Sequence, residues 1–333
     1  MELEQAIASE KFTVKSLTAS INTAVVPKTR LAELKLFEEK GVRTTSVDIE
    51  YKDGQIILVP EKERGADGTH IDDENRKIYT FRAVHLPLEA SIAADDIQDT
   101  RAFGSEDELE GLDTLITEKH EGHRSSLDVT IEYFRIGAIF GKVLGAKGNV
   151  IEDLFKRFDI AAKNIYHEID FTAPLRTQLL DVKRASEKNQ AGIIGKRYRG
   201  LATPLFFNEL LENADFVKAF DRYNNGSALR DDVRSGVYWQ GVYWEEFDQE
   251  VNGKKFMANG EAVVFPEDKP GLFITRFAPA NYNETVNTIG LPYYSKSEPK
   301  RMGKGIDLES QSNPINVCTS PLAVRKLKIK PQA

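Results

Sequence analysis

The chain has 333 residues, 41% hydrophobic and 29% charged, enough apolar material for a sizeable core and enough length for two lobes or one elaborated domain. Its net charge of −7 argues against tight nucleic-acid binding, which needs clustered Lys and Arg, and no apolar run approaches the roughly 20 residues of a membrane span. Cys318 is the sole cysteine, so an intrachain disulfide is excluded and a reducing cytoplasm fits, with the thiol read as a small buried apolar group. The start, Met1-Glu2-Leu3-Glu4-Gln5, lacks the basic and apolar stretches of a secretory signal.

Residues 1–46 read as an arm. Polar and apolar residues mix from Ser16 to Asn22, Pro27 interrupts, and Leu31, Leu34 and Phe37 give a short helical stripe that Gly41 ends. That is too little apolar surface for an independent fold, so the arm is expected to lie on another surface. From Val47 the period changes to two. Val47, Ile49 and Tyr51 alternate with polar residues up to the Asp53-Gly54 turn signal, and Ile78, Tyr79, Phe81, Val84 and Leu86 form a second run. Between them, Pro60 to Arg76 is nearly all charge, glycine and turn residues. The pattern over 47–104 describes a projecting hairpin reaching over a neighbour, with Glu61, Lys62, Glu63, Arg64, Asp72, Asp73 and Arg76 as its expected assembly contacts. A surface loop closing an ordinary sheet is the alternative.

The longest helical pattern follows. Ser105 with Glu106, Asp107 and Glu108 suits a helix start, and Leu109, Leu112, Ile116, His120, His123, Leu127, Ile131, Phe134 and Ala138 recur in steps of three and four. The helix is expected to run to about Val143, with Gly111, Gly122, Gly137 and Gly141 as points of bending or early ending. Glu132 lies outside the stripe and is expected on the outer face, where a change to Lys would leave the subunit folded. Gly145 to Ile160 reads as a turn and a strand pair, closing a block over 105–169. Thr172 and Pro174 start a helix ending at Gly192, Thr203 and Pro204 start another through Leu211, and a short one covers Asp215 to Tyr223. Aromatic-rich strands follow over 237–247 and 262–265, so 170–275 forms a second lobe, while the tail 276–333 returns to complete the sheet of the first.

No residue set carries coherent chemistry. His120-Glu121-Gly122-His123 resembles a zinc motif, but its histidines are three apart rather than four, no third ligand is evident, and both fall on the apolar stripe. They read as partly buried, hydrogen-bonded residues. Gly137–Gly141 and Gly145–Gly148 lack the phosphate-loop pattern and read as helix termination followed by a hairpin; Gly226-Ser227-Ala228 lacks the second glycine of a nucleophile elbow. Glu245-Glu246 and Asp231-Asp232 read as solvated faces, and Trp239, Tyr243 and Trp244 as core or interface aromatics. No catalytic residue, metal ligand or cofactor is assigned.

The C-terminal quarter points elsewhere. Ala278-Pro279-Ala280-Asn281-Tyr282-Asn283-Glu284-Thr285-Val286-Asn287-Thr288 runs into Gly290-Leu291-Pro292-Tyr293-Tyr294, and Glu309-Ser310-Gln311-Ser312-Asn313-Pro314 follows with Cys318 and Pro321 behind. Dense in strand formers, turn residues and amides, it is the material of an extended segment that makes contacts. It closely resembles the C-terminal block of the lambda-like major capsid proteins of tailed phages, the phage major capsid protein E family. The stretch from Pro27 to Val42 matches that family's arm-to-strand junction, and His85 to Ala90, Asp95-Asp96-Ile97 and Arg101 to Gly104 are similar to the return path of its extended loop.

The resemblance implies an α+β, HK97-type major capsid protein fold: arm, extended-loop hairpin, peripheral domain with a long spine helix over 105–169, and axial domain over 170–275. It implies a non-enzymatic subunit assembling into hexamers and pentamers around double-stranded DNA on a T=7 lattice, the DNA enclosed without sequence-specific contacts. It further implies a separate scaffold protein, a portal, a decoration protein, assembly in the host cytoplasm and residence in the virion. An encapsulin-like nanocompartment shell and a metal-dependent hydrolase using the His120/His123 region are the alternatives.

Overall fold

The computed structural model describes residues 12–51, 77–99, 108–190, 194–223, 234, 236–251 and 254–331. The chain divides into two units, one of Met1–Asp48, Thr80–Arg135 and Ile274–Asn316, the other of Ile49–Tyr79, Ile136–Phe273 and Val317–Ala333.

In the first unit, Leu86–Ala93, Gly305–Ser312 and Tyr294–Pro299 form an antiparallel sheet with the 305–312 strand at its centre. Alternation decides its faces. Ile306 and Leu308 are buried while Asp307 between them is exposed, and Ile306 pairs across the sheet with Ile92. Those three apolar residues meet Leu112 and Ile116 of the spine helix and Phe12 and Leu17 of the N-terminal segment in one core cluster. A second cluster joins Leu127 and Ile131, further along the helix, to Ile21, Phe277 and Tyr293. The helical stripe expected from the sequence therefore faces its own subunit's sheet.

Residues Val14–Thr23 form a helix, its start capped by the Thr13 hydroxyl accepting from the Ser16 N–H. It buries Leu17, Thr18 and Ile21, and Asn22 Nδ2 donates to the Tyr293 carbonyl at 2.8 Å. The stripe Leu31, Leu34 and Phe37 does not make one helix up to Gly41. Helix stops at Arg30–Glu33, Lys35 turns into the left-handed region at φ 51°, and Glu38–Gly41 is a strand pairing in parallel with Ile274 to Phe277. The local apolar spacing loses here to the ladder offered by a distant strand.

The spine helix runs over Glu108–Phe140, 33 residues and so roughly 50 Å, with no early end at Gly122 or Gly137. It ends three residues before Val143, because Gly141 takes a left-handed conformation (φ 80°) that closes a helix. Ser105 lies outside the described residues. The unit boundary falls within this helix, after Arg135.

The second unit holds a six-stranded mixed sheet in the order Tyr166–Ile169, Arg325–Ile329, Glu261–Pro266, Tyr198–Ala202, Val242–Glu246, Val237–Trp239. Leu175–Glu187, Pro204–Glu212 and Ala214–Tyr223 are helices, and Leu179, Val182, Phe206, Phe207, Leu210 and Phe216 pack with Tyr198, Trp244, Val264 and Leu327. The first of these helices ends at Glu187, short of Gly192, which lies outside the described residues. Trp239 and Trp244 are core residues, as expected, and Cys318 is fully buried. Lys142–Leu144 and Val150–Asp153 form the hairpin expected after the spine, but Leu154–Arg157 is a helical turn. One departure concerns the tail: strand 325–329 pairs with 261–264 and 166–169, so the last strand joins the second unit's sheet rather than the first unit's.

Candidate assembly surfaces

Strands Ser46–Tyr51 and Lys77–Arg82 pair with each other, giving the two sides of the expected hairpin. Its tip, with Glu61, Lys62, Glu63, Arg64, Asp72, Asp73 and Arg76, lies outside the described residues. Near its base, the Tyr79 ring meets Phe158 edge-on at 4.8 Å.

The histidine pair proves to be internal wiring. His120 is fully buried; its Nδ1 meets the Ser20 hydroxyl at 3.0 Å and its Nε2 the Ser295 hydroxyl at 2.9 Å. His123 Nδ1 meets the Ser310 hydroxyl at 2.9 Å. Both ring nitrogens of His120 are thus engaged in tying the N-terminal helix to the sheet, and neither faces a vacant coordination position. Burial pulls the His120 pKa down to about 4, with the neighbouring His123 adding to the effect, so the ring is neutral at neutral pH. Among the described residues no group of three or more His, Cys, Asp or Glu is arranged to hold a metal ion. Residues 224–233, with Ser227, Asp231 and Asp232, lie outside the described residues.

Two carboxylates expected on solvated faces are buried. Glu132 accepts from the Leu31 backbone N–H at 2.6 Å and the Thr29 hydroxyl at 2.9 Å, capping the short 30–33 helix from the side. Burial raises its pKa, against the pull of those two donors. Glu245 accepts from Arg199 Nη1 at 2.7 Å, and Nη2 of the same guanidinium reaches Glu267 at 2.9 Å. Arg199 also lies over the Tyr243 ring. Helical periodicity places Glu132 one step off the apolar stripe and strand alternation places Glu245 on the face opposite Trp244, and no local sequence signal shows that a distant donor will cover either.

The C-terminal block makes its first contacts with its own chain. Asn313 Nδ2 donates to Gln311 Oε1 at 3.1 Å, Gln311 Nε2 to Glu309 at 2.9 Å, and Tyr282 Oη to Glu309 at 3.0 Å. Gly290 explains its own identity: its N–H donates to the Val42 carbonyl at 2.8 Å, while a Cβ on it would collide with the Phe277 carbonyl. The loop so pinned carries Val286, Ile289 and Leu291 outward, at 66%, 56% and 44% exposure.

The described residues make an α+β subunit with a paired-strand element at 46–51 and 77–82, a long spine helix, a core in each of its two units and apolar residues exposed on the 286–291 loop. Its fold is the HK97-type capsid fold: the chain superimposes on a prophage protein of E. coli CFT073 described as a capsid protein with a TM-score of 0.57 at 14% identity, covering 96% of this chain and 99% of that one. The family model for phage major capsid protein E matches residues 13–329, and the chain belongs to that family. It is 28% identical over 323 residues to the major capsid protein of Pseudomonas phage KPP10, covering 89% of this chain and 91% of the relative. It is 23% identical over 349 residues to the major capsid protein of Salmonella phage Felix O1, covering 93% and 94%.

Proposed function

We infer that this protein is the major capsid protein of a tailed phage, a non-enzymatic subunit whose copies close into the icosahedral shell around the genome. The observation that carries the reading is the extent of the family match, which runs from the N-terminal helix to the last strand. A shell is held by subunit contacts alone, so each copy should bury interfaces at or above the roughly 2,000 Å² where obligate contacts begin. The reading extends to hexamers and pentamers on a T=7 lattice, to a separate scaffold, a portal and a decoration protein as partners, and to assembly in the host cytoplasm. Within the subunit, 1–46 serves as the arm, 47–104 as the hairpin that overlaps a neighbour through its charged tip, 105–169 with 276–333 as the peripheral domain and 170–275 as the axial domain. The paired strands at the hairpin's base support that division for the hairpin, while strands Tyr166–Ile169 and Arg325–Ile329 share the sheet and core around Trp244 and so go with the axial domain.

Electron microscopy of the expressed protein, alone and with its co-encoded partners, tests the reading. Closed icosahedral shells are the expected result. A stable, folded monomer as the sole species under every assembly condition would refute it.

A further inference from the structure

Between Thr285 and Tyr294 the chain holds three large apolar side chains in solvent, and it holds them firmly. Thr285 Oγ1 donates to the Ala280 carbonyl at 2.7 Å, Thr288 Oγ1 to the Thr285 carbonyl at 2.7 Å, and the Leu291 N–H to Tyr294 Oη at 2.9 Å. The Gly290 N–H is bound to the Val42 carbonyl, and Asn287 stands in the left-handed region at φ 62°. A loop that served only to connect strands would have no need of such bracing, nor of exposed Val286, Ile289 and Leu291 within six residues. We propose that this ridge is an interface that seats against a second copy of the chain in the assembled shell.

The inference rests on the shell reading and adds to it a place on the subunit. The ridge is uncharged from Thr285 to Leu291, and the nearest acid, Glu284, is engaged by Lys296 at 3.2 Å. Such a surface suits an apolar protein partner and offers nothing to a phosphate backbone. The same unit exposes Val25 and Val129, which gives a second copy surface of matching chemistry to present. Size narrows the occupant further. The three side chains offer about 300 Å², enough for a functional apolar patch but far below what a free-standing dimer needs. A contact that small is sustained where each subunit touches several neighbours at once, as copies in a closed shell do.

Val286→Cys tests this, because the native Cys318 is buried and its thiol is pushed up to about 12 by that burial, leaving a silent background to maleimide. Labelling is compared between unassembled subunits and shells, whether formed on expression or isolated as virions. The expected result is labelling at least about tenfold slower in shells, as a water-excluding contact requires. Equal rates would overturn the proposal. A photo-crosslinking residue at position 286 then names the occupant: chain-to-chain dimers are expected, and crosslinks only to a scaffold or decoration protein would overturn the assignment to a second copy. Ile289→Asp should leave the unassembled subunit's melting unchanged and lower the yield of shells; unaltered yield would count against the ridge. If the parent chain forms no shells and is absent from virions, the shell reading itself falls. If shells form with the ridge open, only this proposal does.

Discussion

Glu132 separates what a pattern on a helix shows from what the fold does with it. Its side chain is 6% exposed and receives the Leu31 N–H and the Thr29 hydroxyl. Glu132→Ala removes the acceptor while leaving a buried backbone donor with no partner, at a cost of about 1–3 kcal/mol. Glu132→Lys is worse. It sets an ammonium against the same donors, one turn from the buried guanidinium of Arg135, and should destabilise by about 3–5 kcal/mol. Glu132→Gln keeps an acceptor oxygen and avoids burying a charge whose pKa is already raised by desolvation, so it should cost no more than about 1 kcal/mol. Urea unfolding of the unassembled subunit followed by tryptophan fluorescence gives the three values. The predicted order is Lys, then Ala, then Gln. A Lys variant within about 0.5 kcal/mol of the parent, in the range of ordinary surface changes, would refute the reasoning and return Glu132 to the outer face.

Arg199→Leu should cost about 3–5 kcal/mol by taking from buried Glu245 the guanidinium it accepts from at 2.7 Å, and Arg199→Leu with Glu245→Leu should recover part of that in the same unfolding assay; a double-variant loss equal to the sum of the two single-variant losses would mean the pair is not coupled. His120 binds its proton near pH 4 in the folded subunit and near 6.5 when unfolded, so between those values the unfolded chain holds more protons and stability falls as pH drops. The loss attributable to His120 is about 3 kcal/mol in full, and His120→Gln should flatten the slope of melting temperature against pH over that window. Deleting Glu61 to Arg76 should leave the subunit folded and stop or misdirect shell formation; unfolding of the variant would place the tip in the core, and normal shells would make it dispensable.

Much of the fold is legible because burial in each element follows one periodic rule. Leu112, Ile116, Leu127 and Ile131 lie on the expected stripe and in the two clusters of the first unit. Pro204 marks its helix start, and the alternation of Ile306, Asp307 and Leu308 marks the sheet faces. The rule fails where a long-range partner outbids local preference. Glu38–Gly41 turns from a helical stripe into a strand because residues 274–277 supply a ladder, and Arg325–Ile329 crosses to the second unit because 166–169 and 261–264 flank it on both sides. Neither partner lies within a hundred residues in one case, or sixty in the other.

The assembly surface is harder to read for a different reason. A core residue is recognised by its spacing within one chain, whereas an interface residue is defined by a surface that belongs to another copy. Val286, Ile289 and Leu291 follow neither a period of two nor one of 3.6, and in sequence they pass for loop residues among amides and threonines. What distinguishes them is the bracing beneath: Gly290 against Phe277, Asn287 in a left-handed turn, Thr285 and Thr288 bonded back to the loop's own carbonyls. Apolar side chains that merely strayed to the surface would sit on slack backbone. Here the backbone is fixed and the side chains are what it presents, and that ordering, rigid support first and exposed apolar surface second, is the mark of a contact built for a partner.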